Sequence, residues 1–297
     1  MSRYPDWGRD GADWPNRDAS RFVEADGYRW HVQDMGPDKR TNAPVCLLLH
    51  GTGAATHSWR GVLPLLAKHY RVIAMDLPGH GFTRPTLARR ATLPGMAASV
   101  GVLLDELGAV PDVIVGHSAG TAIGLQLLLD RGWQVPVVGF TPALTPFPGL
   151  AARLFPALAK ILFTNPFVAI IFARLASGPG EAAKFLQRAT GSKIDADGER
   201  FYQRLFRTSG HCDGAIRMMA NWQLEPLQAR LGNVTAPVLL VHAARDTAIP
   251  EKAVLTAAAL IPGCQTRRVE LGHLAHEEAP AEAATIITAF AKGKVQA

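Results

Sequence analysis

Short apolar runs alternate with helical patterns along most of this chain, and that alternation constrains the fold more than any other feature. Val45-Cys-Leu-Leu-Leu49, Arg71-Val-Ile-Ala-Met75, Val113-Ile-Val115, Val135 to Phe140, Val238 to His242 and Thr266 to Leu271 read as short, mostly buried strands. Between them, Trp59 to His69, Met96 to Leu107, Ala119 to Arg131, Glu251 to Ile261 and Ala281 to Ala291 carry helical patterns. Unbroken apolar strands are buried on both faces, and strands joined through helices run parallel. The pattern therefore predicts an α/β fold with a mostly parallel sheet covered on both faces. Phe22 to Gly36 adds a hairpin, because Asp26-Gly27 at its centre supplies the positive φ angles of a tight turn. The expected sheet then has eight strands.

The alternation fails between 146 and 225, where helical patterns occur without a convincing strand. The expected organisation is a core of residues 1–145 and 226–297 with a helical cap, residues 146–225, over the C-terminal edge of the strands, where sheets of this class bind ligands. From Leu150 to Glu225 there are ten Lys or Arg against six Asp or Glu, so +4 of the net +6 charge falls in the cap. The cap also holds an uncharged stretch, Ile161 to Ala173, interrupted by Asn165-Pro166 and too short to span a bilayer. It reads first as a helix facing the core; a roof for a large apolar ligand and a membrane-touching surface are the alternatives. Gly132 to Ala152 is uncharged over 21 residues, but Pro136, Pro142, Pro146 and Pro148 would break the backbone hydrogen bonding that lipid demands. It is not read as a span.

With 297 residues, 48% of them hydrophobic, the chain can bury roughly three quarters of its extended surface without cross-links. Cys46, Cys212 and Cys264 form no C-x-x-C pair, which argues against a thiolate metal site or a disulfide framework. The first 25 residues are charged and lack the apolar core of a secretory signal, so a cytoplasmic protein is expected. The pI is about 9.5. The basic residues are nevertheless scattered, with no run of five and no interleaved aromatics, and nucleic acid is not an expected partner. With no heptad seam, the expected state is a monomer.

Gly116-His117-Ser118-Ala119-Gly120 fits G-x-S-x-G, and it lies between the expected strand Val113 to Val115 and the expected helix Ala119 to Arg131. A strand-to-helix turn this tight leaves no room for side chains at its flanks and holds the serine in a strained, exposed pose. Ser118 is thus a candidate nucleophile. An alcohol needs a base, and the base an orienting acid, in the chain order Ser, acid, His on such a fold. Asp246 follows the strand Val238 to His242, and His273 follows Thr266 to Leu271. The loop after Phe140, the other place for an acid, reads Thr141-Pro-Ala and has no carboxylate. His50-Gly51-Thr52-Gly53 follows the strand Val45 to Leu49, and the amides of Thr52 and Ala119 are the expected oxyanion donors. A dinucleotide reading of Gly51-x-Gly53 fails, because position 56 is Thr and no acidic residue lies suitably downstream.

Together these segments resemble the α/β-hydrolase superfamily over nearly the whole chain, and Asp76-Leu-Pro-Gly-His-Gly81 matches a structural turn of that superfamily. More narrowly, five segments resemble the BchO family of α/β-hydrolases, magnesium-chelatase accessory proteins of bacteriochlorophyll biosynthesis. They are Trp30-His-Val-Gln33, His50 to Trp59, Leu77-Pro-Gly-His-Gly-Phe-Thr83, Met218-Met-Ala-Asn-Trp222 and Gly272-His-Leu-Ala-His-Glu-Glu278. The resemblance implies an α/β-hydrolase fold with a helical cap and no cofactor. It also implies an ester of a large hydrophobic compound, such as a porphyrin or chlorophyll intermediate, as substrate. Transient contact with magnesium chelatase or the photosynthetic membrane surface goes with that pathway. The alternative it implies is a non-catalytic, porphyrin-handling accessory protein.

Other residues carry bland readings beside bold ones. His57, Trp59, His117 and Trp222 are candidates to line a pocket, while His57 and Trp59 equally well start a helix. His276, three residues after His273, lacks a third metal ligand and is read as packing near the base. His211 and Cys212 either touch a ligand or pack as a pair, and Met218, Met219 and Trp222 read as a core stripe. Trp7 and Trp14 are expected to pin the N-terminal arm to the body.

Overall fold

The computed structural model describes residues 3–37, 42–85, 90–145, 169–170, 173–174, 178 and 180–293. Eight strands form one sheet: β1 (Ser20–Ala25), β2 (Tyr28–Met35), β3 (Val45–Leu49), β4 (Arg71–Met75), β5 (Val113–His117), β6 (Val137–Phe140), β7 (Val238–Ala243) and β8 (Gln265–Val269). Their spatial order is β1-β2-β4-β3-β5-β6-β7-β8. β1 and β2 are antiparallel to each other, and β2 to β4; every other pair is parallel. The hairpin turns at Asp26 (φ 52°) and Gly27 (φ 75°), as the Asp-Gly pair predicts.

The period-two alternation of a strand explains how unbroken apolar runs serve two cores. In β3, Leu47 and Leu49 face one cluster, with Val100 and Leu103 of α1 (Leu93–Glu106), Ile123 and Leu127 of α2 (Ala119–Arg131) and Val254 and Ala257 after β7. Cys46 and Leu48 face the other, against Trp59, Leu63, Ile286 and Phe290. β8 departs from the expectation of a buried strand. It is the sheet edge, and Thr266, Arg267 and Arg268 are exposed, which puts charge where an unpaired edge needs it. The continuous helix expected over Trp59 to His69 is instead a 3-10 turn (Thr56–Trp59) and one helical turn (Leu63–Leu66). Gly61 sits so close to Pro280 that a Cβ there would lie 2.7 Å from the proline Cβ, and this contact fixes the chain's path between the two turns.

Between β6 and β7 the described residues form helices and no strand: α3 (Glu181–Thr190), α4 (Ala196–Phe206) and α5 (Ser209–Ala220). Leu186, Tyr202 and Phe206 pack on Ala54, beyond β3, and Leu274, beyond β8, so these helices lie over the C-terminal ends of the strands. Gly180 and Gly191, both with positive φ, bracket α3. The uncharged stretch Ile161 to Ala173 lies outside the described residues apart from Ala169, Ile170 and Ala173, as does the expected cap boundary at 146. No helix among the described residues is long and apolar enough to cross a membrane. After β7 come α6 (Glu251–Ala258) and, after β8, a turn (Ala275–Glu278) and α7 (Pro280–Ala291). Trp14 is 2% exposed, donates from its indole to Thr56 Oγ1 at 3.0 Å and packs on Phe82 and Phe201, pinning the arm as expected.

Candidate active site

β5 runs directly into α2 through Ser118, whose φ of 51° and ψ of −118° lie outside the regions a side chain prefers. Such a backbone costs on the order of 1–3 kcal/mol and persists only where the surroundings enforce it. The flanking glycines do so. A Cβ on Gly120 would lie 2.1 Å from the Leu49 carbonyl oxygen, and one on Gly116 would lie 2.4 Å from Thr121 Cα. The Ser118 amide donates to the Phe140 carbonyl at 3.0 Å. Its side chain sits at the N-terminus of a 13-residue helix and remains partly exposed.

Asp246 and His273 come from the loops after β7 and β8, the next strands but one and two along the sheet. His273 Nδ1 is 2.8 Å from Asp246 Oδ2. The other carboxylate oxygen accepts from the amides of Ala248 and Ile249 at 2.7 and 2.8 Å, so the acid is held at both ends. The Asp246 side chain is 1% exposed and that of His273 is 9%. The loop carrying His273 is itself tied down. The His273 carbonyl accepts from His117 Nε2 at 3.1 Å and from Thr141 Oγ1 at 2.8 Å. Glu278 accepts from the Gly272 amide at 2.6 Å while pairing with Arg245 at 2.8 Å, joining the loops that carry His273 and Asp246. The His273 ring lies against that of His117, the residue before Ser118, with ring centroids 4.8 Å apart, which brings the base-bearing loop to the serine turn.

The loop after β3 approaches the serine from the other side. Gly51 has no room for a side chain: its Cβ would lie 2.7 Å from His117 Nδ1 and 3.1 Å from Ser118 Cβ. His50, fully buried, donates from Nδ1 to the Gly51 carbonyl at 2.7 Å and accepts from the Leu77 amide at Nε2 at 2.9 Å. Both ring nitrogens are used by the neutral form, which burial favours by lowering the pKa. Among the described residues, neither the Thr52 nor the Ala119 amide has an acceptor. Thr52 follows Gly51, whose Cβ position is 3.1 Å from Ser118 Cβ, and Ala119 follows Ser118 in the chain.

The remaining candidates have different surroundings. His117 is buried beneath the turn, its ring on those of His273 and His276, and burial with those two neighbours holds its pKa well below the usual histidine range. His57 is wholly buried among Trp14, Phe201 and Tyr202, and Trp59 is wholly buried against His276. Both pack in the interior instead of facing open space. Trp222 is half-buried against the α1–α2 side of the core. Met218 is fully buried and accepts at Sδ from Thr52 Oγ1 at 3.4 Å, whereas Met219 is exposed, so only part of that stripe is core. Cys212 is buried and bonded to the Phe206 carbonyl. Two clefts, about 230 Å³ beside Trp133 and Arg230 and about 340 Å³ beside Gln126 and Asn221, lie away from Ser118. Among the described residues no group of three or more His, Cys, Asp or Glu is placed to hold a metal ion.

Sequence reading gave Thr141, Glu278 and Ser192 no role at the site and offered His211 only as a ligand contact or as packing with Cys212, yet all four touch the loops around Ser118. Leu274 donates to Ser192 Oγ at 2.8 Å, and His211 Nε2 donates to the Gly53 carbonyl at 3.0 Å. No linear signal marks the Ser192 and His211 contacts, because their partners lie 82 and 158 positions away.

Residues 46–286 match the model of the alpha/beta hydrolase family. The chain is 42% identical over 269 residues to the magnesium-chelatase 30 kDa subunit of Rhodobacter capsulatus, covering 90% of this chain and 93% of that protein. Among solved structures it resembles the enol-lactonase of Burkholderia xenovorans LB400, with a TM-score of 0.73 and 18% identity over 92% of this chain and 100% of that one. It also resembles the carboxylesterase CesB of Bacillus subtilis, with a TM-score of 0.66 and 21% identity over 93% and 92%. At such identities the two structures speak for the fold. The family model, which matches most of the chain, establishes that the chain belongs to the alpha/beta hydrolase family, and within it the chain is similar along nearly its full length to the magnesium-chelatase 30 kDa subunit.

Proposed function

We propose that the protein is a serine hydrolase acting on an ester of a large hydrophobic compound, such as a porphyrin or chlorophyll intermediate. The observation that carries this reading is the Asp246–His273 hydrogen bond of 2.8 Å, buttressed by two amides on the carboxylate and tied through His117 to the turn that holds the strained Ser118. Ser118 Oγ attacks the ester carbonyl carbon while His273 Nε2 takes the hydroxyl proton. Asp246 holds Nδ1–H and stabilises the imidazolium. The amides of Thr52 and Ala119 receive the developing oxyanion. His273 then protonates the departing alcohol, and water, deprotonated by the same ring, releases the acid from Ser118. The helices α3 to α5, within a cap of residues 146–225, cover this site, and their apolar residues suit a greasy substrate.

The pathway assignment comes from the likeness to the magnesium-chelatase 30 kDa subunit. That same likeness favours a second reading, in which the protein hands a porphyrin to magnesium chelatase at or near a membrane surface and catalyses nothing. Labelling by a fluorophosphonate probe separates the two. The hydrolase reading expects covalent mass on the wild type and none on Ser118→Ala. An unlabelled, folded wild type would favour the carrier, and titration with porphyrin esters would then measure binding.

A further inference from the structure

Two of the loops that meet at Ser118 are held by side chains from the helices between β6 and β7. On one side, His211 of α5 is fully buried between two backbone segments. Its Nδ1 accepts from the Gly81 amide at 3.1 Å, and its Nε2 donates to the Gly53 carbonyl at 3.0 Å. Burial brings its pKa down to about 4, so the ring is neutral at ordinary pH, with one donor and one acceptor, and both are used. α5 reaches this depth because Gly214 lies against Gly79, where a Cβ would be 2.0 Å from the carbonyl oxygen. On the other side, the end of α3 clasps the base. The His273 amide donates to the Thr190 carbonyl at 2.8 Å, and the Leu274 amide donates to Ser192 Oγ at 2.8 Å. Gly191 presses on the Arg245 carbonyl, next to Asp246, with no space for a side chain.

We propose that His211 and Ser192 are positioning residues, His211 fixing Gly53 and with it the Thr52 amide, Ser192 fixing Leu274 and with it the His273 ring. The helices between β6 and β7 are then part of the catalytic assembly as well as its cover. This inference rests on the serine hydrolase reading above. Gln is the informative replacement at position 211, because its amide supplies one donor and one acceptor on a side chain of similar reach; Leu supplies neither.

The test uses the full chain as wild type, His211→Gln, His211→Leu, Ser192→Ala and Ser118→Ala. It reads the second-order rate of fluorophosphonate labelling, kcat and KM for p-nitrophenyl butyrate, and thermal unfolding. Small displacements of reacting groups are costly, so His211→Leu is expected to lower labelling and kcat roughly tenfold or more with KM little changed. His211→Gln is expected to restore most of that loss, and Ser192→Ala to lower kcat by roughly threefold to tenfold. A folded His211→Leu that labels at the wild-type rate overturns the proposal, as does a Gln variant no better than Leu. Where His211→Leu does not fold, an unchanged rate in Ser192→Ala overturns it instead. A wild type that fails to label, like Ser118→Ala, removes the hydrolase reading itself, an outcome distinct from labelling that the anchor variants leave untouched.

Discussion

At the scale of single residues, the site depends on groups whose alternatives are chemically unsuitable. Asp246 accepts from His273 Nδ1 and from two amides, so Asp246→Asn keeps the shape but presents an amide donor where the ring needs an acceptor. On the serine hydrolase reading, kcat for p-nitrophenyl butyrate falls by roughly 10³–10⁴ with little change in melting temperature. A loss below tenfold would remove Asp246 from that role. Asp76 is the buried counterpart with a structural task. Its carboxylate pairs with His31 at 2.8 Å and accepts from the Thr56 and Phe82 amides, and these partners hold its pKa well below the usual carboxylate range in spite of burial. Truncating one partner of a buried pair leaves the other uncompensated, so Asp76→Ala should cost about 3–5 kcal/mol in urea unfolding.

At the scale of elements, the strand-turn-helix unit around Ser118 is set by absent side chains. Gly120→Ala would drive a methyl group into the Leu49 carbonyl, which belongs to β3 and cannot yield without disturbing the central sheet. Gly132, at the C-terminus of the same helix, has a positive φ of 65° but nothing near its Cβ position. Gly132→Ala should cost about 1 kcal/mol for the left-handed backbone, and Gly120→Ala about 3 kcal/mol or more from overpacking. Equal urea midpoints for the two variants would refute the steric account. This unit was legible in the sequence because strand, turn and helix are contiguous and each has a local signature. The Trp59 to His69 segment was not, because its apolar pattern is helical while its path is fixed by Gly61 meeting Pro280, more than two hundred positions away.

At the scale of the molecule, a buried cluster joins the helices between β6 and β7 to the core. Glu277 accepts from the Tyr202 hydroxyl at 2.7 Å and pairs with Arg60, which also pairs with Asp195 at 2.8 Å. Burial outweighs the pull of Arg60 and Tyr202 and raises the Glu277 pKa to about 7. An unfolded glutamate ionises near 4.5, so between there and about pH 7 the folded chain keeps a proton that the unfolded chain has released. Stability from this group therefore declines as pH rises through that window, by up to about 3 kcal/mol. Glu277→Gln should flatten the decline, which unfolding midpoints between pH 5 and pH 8 would reveal; an unchanged slope would assign it to other groups.

The sequence by itself determined the α/β layering, the hairpin, the strained turn at Ser118 and the order in which Ser118, Asp246 and His273 leave the sheet. All of these follow from periodicity, turn chemistry and residue type within a few positions of one another. Only the tertiary structure decided that β8 is an edge, that His57 and Trp59 are interior, and that His211, Ser192, Thr141 and Glu278 hold the loops around the serine. A hydrogen bond between residues as far apart as His211 and Gly53 exists because the strand order and the packing of three helices bring two backbones together, and no local pattern encodes that meeting.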